Sequence, residues 1–168
     1  MTHTQGREYG CLGTLAEKYF HYLGTHFPQQ CASDGFYLFP RARAAIEGLD
    51  RLDDLHPERM AEHLNFVRQL LGETADASPR DLEEEIDRQL MIQSMKSFIR
   101  EMGEGKTWKR DPTLYIKVLL FAAARTLSGG DGFGHFARTN LSGILGQIPL
   151  FLEMAQQNLH AVPGTSSA

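Results

Sequence analysis

The apolar residues of this chain recur with the period of an α-helix, in segments that start next to prolines. Pro57, Pro79 and Pro112 each precede such a segment. Proline is tolerated at the first helical position, because the N–H that it lacks would have no partner there. No segment shows the alternation of apolar and polar residues that indicates a strand. Leu, a good helix former, outnumbers Ile and Val together by 21 to 10. The pattern predicts an all-α, irregular helical bundle.

About six helices are expected in this bundle. The periodic segments cover Leu12–His26, Arg41–Leu52, Pro57–Leu71, Pro79–Met102, Pro112–Ser128 and Phe136–His160. Gly72 and Gly103 are predicted to end the third and fourth helices. Ser78 and Asp81 resemble a capping box at the start of the fourth helix. Pro149 removes a backbone donor inside the last segment, so a kink or a split into two helices is expected there.

Each of these segments carries apolar residues that should face a core. In the fourth helix the predicted stripe includes Leu82, Ile86 and Leu90, and continues to Met102. The fifth helix is apolar all round, which is typical of a central helix. In the last helix, the predicted stripe is Leu141, Leu145, Ile148, Leu152, Ala155 and Leu159.

Length, charge and cysteine content exclude several classes of protein. A chain of 168 residues predicts a single domain, with residues 1–11 and 164–168 frayed. The net charge of −4 argues against a nucleic-acid partner. Two cysteines do not make a disulfide framework. The longest uncharged apolar run, Val118–Ala124, is too short to cross a membrane. No signal peptide is visible before Cys11, so a cytoplasmic location is expected.

No pattern of residues predicts a metal or phosphate site. Glu17 and His21 lack the second copy and the further carboxylates that a di-iron bundle requires. The loose set Cys11, His21, His26 and Cys31 fits no zinc-finger spacing. The glycine-rich residues 129–134 lack the G-K-[ST] ending of a phosphate-binding loop. We expect these glycines to form a helix connector.

Two motifs carry a resemblance to a known family. Residues 108–115, WKRDPTLY, match a W-x-x-[ND]-P-x-x-Y signature that opens a long helix. Residues 138–159 resemble the pattern R-L-x-x-I-P-x-x-L-x-x-A-x-x-N-L. Together with the acidic helix upstream, they resemble the amino-terminal helical region of a bacterial family, domain of unknown function 885. That family is zincin-like and related to metallopeptidases.

The resemblance implies a role without catalysis. The family's H-E-x-x-P-G-H zinc motif has no counterpart in this chain, so no catalytic residue, zinc ligand or cofactor is carried over. Zinc is expected only in a catalytic half that would follow. The chain is then expected to form one wall of a substrate cleft, beside a catalytic domain or split-gene partner, and not to be an enzyme by itself.

The roles of the motif residues stay open at this point. Trp108, Tyr115 and Arg125 are candidates to line the cleft. The alternative is structural: Asp111 caps a helix that Pro112 starts, while Trp108 and Tyr115 pack nearby. A second hypothesis for the whole chain is a stand-alone interaction module. It would homodimerise through its last two helices, whose apolar residues a short chain leaves partly exposed.

Overall fold

The fold is all-α, as the sequence predicts. A computed structural model describes residues 11–33, 36, 39–42, 48–127 and 134–160. The helices are α1 (Cys11–His26), α2 (Pro28–Cys31), α3 (Pro57–Asp76), α4 (Leu82–Phe98), α5 (Thr107–Arg110), α6 (Pro112–Leu127) and α7 (Gly134–His160). A π-helical segment, Ile99–Glu104, continues α4. No strand occurs among the described residues.

The helices pack as pairs around one core. The long helices α3 and α4 pack against each other and against α1. Tyr115 near the start of α6 contacts Phe151 and Asn158 towards the end of α7, so these two helices are antiparallel. The centre of the core holds large, fully buried side chains: Tyr19, Leu23, Phe27, Leu55, Met60, Leu70, Met95, Phe98 and Ile144.

Two helix ends differ from the sequence prediction. Helix α3 passes through Gly72, because a glycine inside a helix costs only about 1 kcal/mol relative to alanine. The N-cap of α4 is Asp81 rather than Ser78: its side chain accepts a hydrogen bond from the Glu84 N–H at 2.8 Å. The Glu84 carboxylate in turn accepts from the Arg80 N–H at 2.7 Å. The N-cap bond of a capping box therefore forms three residues later than predicted, but the returning bond from Glu84 goes to Arg80, the residue before the N-cap.

The apolar stripe predicted for the fourth helix is only partly buried. Leu82, Ile86 and Leu90 are exposed, whereas Met91 and Met95 lie in the core. The step from Leu90 to Met95 is five residues, which turns the helix face by about 140° at 3.6 residues per turn. The two halves of the predicted stripe therefore point in different directions.

The helix predicted over Arg41–Leu52 is not seen in the described part of that range. Residues 43–47 lie outside the described residues, Gly48 is in a 3₁₀ turn, and residues 49–56 form turns and irregular chain. Side-chain amides bind the backbone of this 48–56 segment instead. Gln29 donates to the Arg51 carbonyl at 2.7 Å, and Gln147 donates to the Asp50 carbonyl at 2.8 Å. These contacts hold the segment between α2 and α7.

The last two helices agree with the prediction in extent. Helix α6 begins at Pro112, and its exposed residues Ile116 and Leu120 show that it is not enclosed on all sides. Helix α7 runs through Pro149 without splitting. The glycine connector predicted at residues 129–134 falls, up to Phe133, outside the described residues.

Candidate functional site

Two histidines and one aspartate meet where three elements of the fold converge. His26 is the last residue of α1, Asp54 lies in the 48–56 segment and His63 lies on α3. One ligand atom from each residue lies within 4.8 Å of the ligand atoms of the other two. We call these three residues the His–Asp cluster. Imidazole nitrogens and a carboxylate oxygen are ligands for zinc and other divalent transition metals.

Asp54 is fixed next to His26 through the backbone. The Asp54 N–H donates to the His26 carbonyl at 2.8 Å. Its carboxylate accepts from Arg59 Nε at 3.2 Å and from the His56 N–H at 3.4 Å. Arg59 is itself an exposed side chain, whose contribution to stability through this pair is small. The position of Asp54 is therefore set mainly by the main chain.

His63 is the buried member of the cluster, with an exposed fraction of 0%. Its Nδ1 shares a 2.8 Å hydrogen bond with Tyr22 Oη, and the Tyr22 ring stacks on Phe66. Its Nε2 lies 3.7 Å from Asp54 Oδ2, longer than a hydrogen bond. Among the described residues, none gives this Nε2 a hydrogen-bond partner. A buried polar atom without a partner is uncommon in a folded protein and calls for an explanation.

The electrostatics of the cluster keep its two half-buried members, His26 and Asp54, in their metal-binding forms at neutral pH. Burial alone would raise the pKa of Asp54, but the nearby His63 imidazole and the hydrogen bond from Arg59 outweigh burial and hold this pKa at about 2. Burial, and then the neighbouring His63, lower the pKa of His26 below its ordinary value. Asp54 is therefore ionised and His26 is neutral, as a ligand must be.

The sequence did not predict this cluster. It placed His26 only in a loose set with His21 and the two cysteines. The three residues are separated by 28 and 9 positions, and one lies in a segment next to the range predicted to be helical. One signal was present: His63 falls in the same helical row as Met60, Val67 and Leu70, all of which are buried. A histidine in the buried row of an amphipathic helix requires a polar partner, so His63 is itself a sign of a polar site at this position.

The motif residues Trp108 and Tyr115 lie in a buried hydrogen-bond network. Trp108 Nε1 donates to the Met102 carbonyl at 2.8 Å, and Tyr115 Oη donates to the Trp108 carbonyl. Asn158 Nδ2 bridges from Tyr115 Oη at 2.8 Å to the Leu55 carbonyl at 2.9 Å. The network joins the π-helical segment, α5, α6, α7 and the 48–56 segment. These buried contacts are those expected if Trp108 and Tyr115 have a structural role. A role for these two residues in lining a cleft stays a prediction.

The remaining predicted residues occupy separate places. Asp111 precedes α6, and its side chain accepts from the Thr113 N–H at 2.8 Å, next to Pro112 at the first helical position. Pro149 is exposed on α7. Half-buried Arg125 donates to the Ala32 carbonyl at 2.7 Å. The structure therefore does not bring Arg125 into the network of Trp108 and Tyr115, and its role in a cleft also stays a prediction.

Exposed apolar residues lie on the last two helices. Leu145 and Leu152, 55% and 44% exposed, are seven residues apart on α7 and so lie in one row. Ile116 and Leu120, four residues apart on α6, are also exposed. The buried row of α7 is instead Ile144, Phe151, Ala155 and Asn158. Of the predicted α7 stripe, only Ala155 is fully buried among the residues whose burial is described.

Comparison with known proteins does not assign this chain to a family. The chain matches no protein-family model, no curated protein and no solved structure. The resemblance to the domain-of-unknown-function family therefore stays a prediction. Among the described helices, none has both the length and the apolar character that crossing a bilayer requires.

Proposed function

We propose that this chain is a helical interaction domain that pairs with a second copy of itself through α6 and α7. The observation that carries the proposal is the exposed row of Leu145 and Leu152 on α7. Removing such side chains from water is favourable by about 25 cal/mol per Å² of apolar surface. Such an interface is one of the two functions that the apolar pattern and motifs of the sequence predict.

A second copy is the partner that suits the arrangement of the row. A spacing of seven residues along a helix is the repeat with which two helices pack side by side. A two-fold axis lets one row meet its own copy, which is the commonest symmetry of protein dimers. Charge also fits: Lys117 lies beside Ile116 on α6, and Glu153 lies beside Leu152 on α7, and both charged side chains are exposed. In a pairing of α6 with α7 of the other copy, these charges would attract.

Sedimentation velocity over the micromolar concentration range tests this proposal. The wild-type chain is expected to show a monomer–dimer equilibrium. The double variant L145E/L152E places like charges in the row, and it is expected to remain monomeric at every concentration. Both leucines are exposed, so each substitution should change the folding free energy by only about 0.5 kcal/mol or less.

A matched control is available on α4, where Leu82 and Leu90 are also exposed. The variant L82E/L90E adds the same charge elsewhere and is expected to dimerise like the wild type. A wild-type chain that is monomeric throughout, or a loss of dimer in both variants alike, would contradict the proposal.

A second proposal rests on the family resemblance and on the same exposed row. Here the chain is the non-catalytic helical part of a zincin-like protein, and the row contacts a catalytic domain instead of a second copy. The two motifs and the lack of a zinc motif in the sequence support it. A monomeric wild-type chain that binds a separately produced zincin-like domain, with binding lost in L145E/L152E, would favour it over the homodimer. No peptidase activity is expected from this chain alone.

A further inference from the structure

We propose that the His–Asp cluster is a binding site for one divalent transition-metal ion of the zinc type, with His26, Asp54 and His63 as ligands. The inference is independent of the partner contact proposed above. It also differs from the expectation from the sequence, which assigned no metal to this chain.

The first argument is distance. Three atoms that lie within 4.8 Å of one another always have a point within about 2.8 Å of all three. Zinc–nitrogen and zinc–oxygen bonds measure about 2.0–2.2 Å, so small side-chain rotations would close the shell. His26 and Asp54 are half-buried and can make such rotations, while buried His63 is the fixed member.

The second argument is the unpartnered Nε2 of His63. A fully buried histidine whose second nitrogen lacks a partner would be costly as a purely structural residue. This atom lies 3.7 Å from Asp54 Oδ2, so it faces the carboxylate of the cluster. A metal ion there would accept its lone pair, which explains why no described hydrogen-bond donor or acceptor occupies that position.

The third argument is the support behind His63. Metal-binding histidines usually hold their second ring nitrogen in a hydrogen bond, which fixes the tautomer and the ring orientation. Tyr22 Oη holds His63 Nδ1 in this way at 2.8 Å, and the stacked Phe66 ring holds Tyr22. When Nδ1 donates to Tyr22, the lone pair of Nε2 faces the cluster.

Two imidazoles and one carboxylate specify the class of metal but leave its shell incomplete. Sites with three such ligands keep a position open for water or another small ligand, as in zinc enzymes and non-haem iron proteins. The partly exposed side chain of Asp54 lies at the solvent side and gives the ion a path to the site. The open position would therefore face the surface beside Asp54.

Titration of the tag-free, chelator-treated chain with Co²⁺ tests the site directly. Cobalt bound in a protein site of low coordination number absorbs visible light, and zinc then displaces it. We expect saturation at one Co²⁺ per chain, loss of the absorbance on adding Zn²⁺, and a higher thermal unfolding temperature with Zn²⁺. Absence of saturable binding of either ion would overturn the proposal.

Variants assign the ligands without touching the buried His63. H26Q and D54N are each expected to weaken binding at least about tenfold, and Y22F about 10- to 100-fold through the tautomer of His63. His21, exposed on α1 near His26, provides the matched control H21Q, which should bind like the wild type. Circular dichroism checks that every variant is folded. Equal weakening by H21Q and H26Q, or unchanged binding in both H26Q and D54N, would show that the cluster is not the site.

Discussion

Tyr115 shows how a single polar side chain connects distant parts of this bundle. Its hydroxyl donates to the Trp108 carbonyl and accepts from Asn158, which in turn binds the Leu55 carbonyl. Its exposed fraction is 2%, so these bonds are made out of contact with water. Hydrogen bonds of this kind each add about 1 kcal/mol, and leaving one partner buried without the other costs more.

The substitution Tyr115→Phe is expected to destabilise the fold and to change its response to alkali. Burial raises the pKa of Tyr115 from 10.0 to about 12, so the folded state holds the phenolic proton more tightly than the unfolded state. The resulting stability is present below pH 10 and is lost as the pH rises from 10 towards 12. In Y115F that loss should be smaller, by on the order of 2 kcal/mol. At pH 7 the variant should be less stable by about 1–3 kcal/mol.

Chemical denaturation at pH 7, 10 and 12 measures both effects. Buried Tyr19 also has a pKa raised to about 12, mainly by desolvation, so Y115F should keep part of the alkaline loss and Y19F/Y115F should keep less. An alkaline loss of the same size in wild type and Y115F would show that the phenol of Tyr115 is not protected in the way described.

At the scale of single residues, the sequence indicated helix starts more successfully than long-range contacts. Asp111 and Pro112 could be placed because capping depends on neighbours within one turn. The meeting of His26, Asp54 and His63 could not, because it depends on the path of the 48–56 segment. The partners that fix this path, Gln29, Gln147 and Asn158, carry no local signal for it.

Among the elements, α7 is positioned by the close approach of its backbone to the 48–56 segment. A Cβ atom on Gly143 would lie 2.8 Å from the Asp50 carbonyl oxygen, closer than real Cβ contacts come. One turn later, Gln147 donates to the same carbonyl and accepts from the Leu52 N–H. Gly143 is therefore required so that Gln147 can reach the segment.

Gly143→Ala is expected to destabilise the protein by about 1–3 kcal/mol, because the segment or the helix must shift to admit the methyl group. A Cβ atom on Gly146 of the same helix would meet nothing within 4 Å, so Gly146→Ala is the matched control. That control should be stabilising by about 0.5–1 kcal/mol through the lower flexibility of alanine. Urea unfolding of dilute protein compares the two, and equal effects of the two substitutions would be incompatible with this account of α7.

The sequence predicted the positions of the long helices well, but it predicted their buried faces poorly. The apolar period shows that a helix has a buried face. Where two apolar rows run side by side along the helix, the period does not show which of the two rows is buried. Helix α7 carries Ile144 and Phe151 in one row and Leu145 and Leu152 in the next. Packing selects the first row, because the Phe151 ring lies against Tyr115 with centroids 5.7 Å apart.

At the scale of the whole molecule, the exposed row of Leu145 and Leu152 on α7 is the feature that suggests a function. The bundle buries one continuous core, and the rows left over on α4, α6 and α7 remain in contact with water. Among the described helices, α6 and α7 pack against each other and each carries such a row. The proposed dimer uses these rows, and the proposed metal site lies apart from them, between α1, α3 and the 48–56 segment.

Hydroxyl-radical footprinting of the leucine side chains, read by mass spectrometry, can locate the contact between the two copies. The oxidation of each side chain is compared between dilute and concentrated wild-type protein. Protection of Leu145 and Leu152 at high concentration, with Leu82 and Leu90 on α4 oxidised equally in both samples, is the predicted result. Unchanged oxidation of Leu145 and Leu152 in a sample that sediments as a dimer would contradict it, because the contact surface would then lie elsewhere.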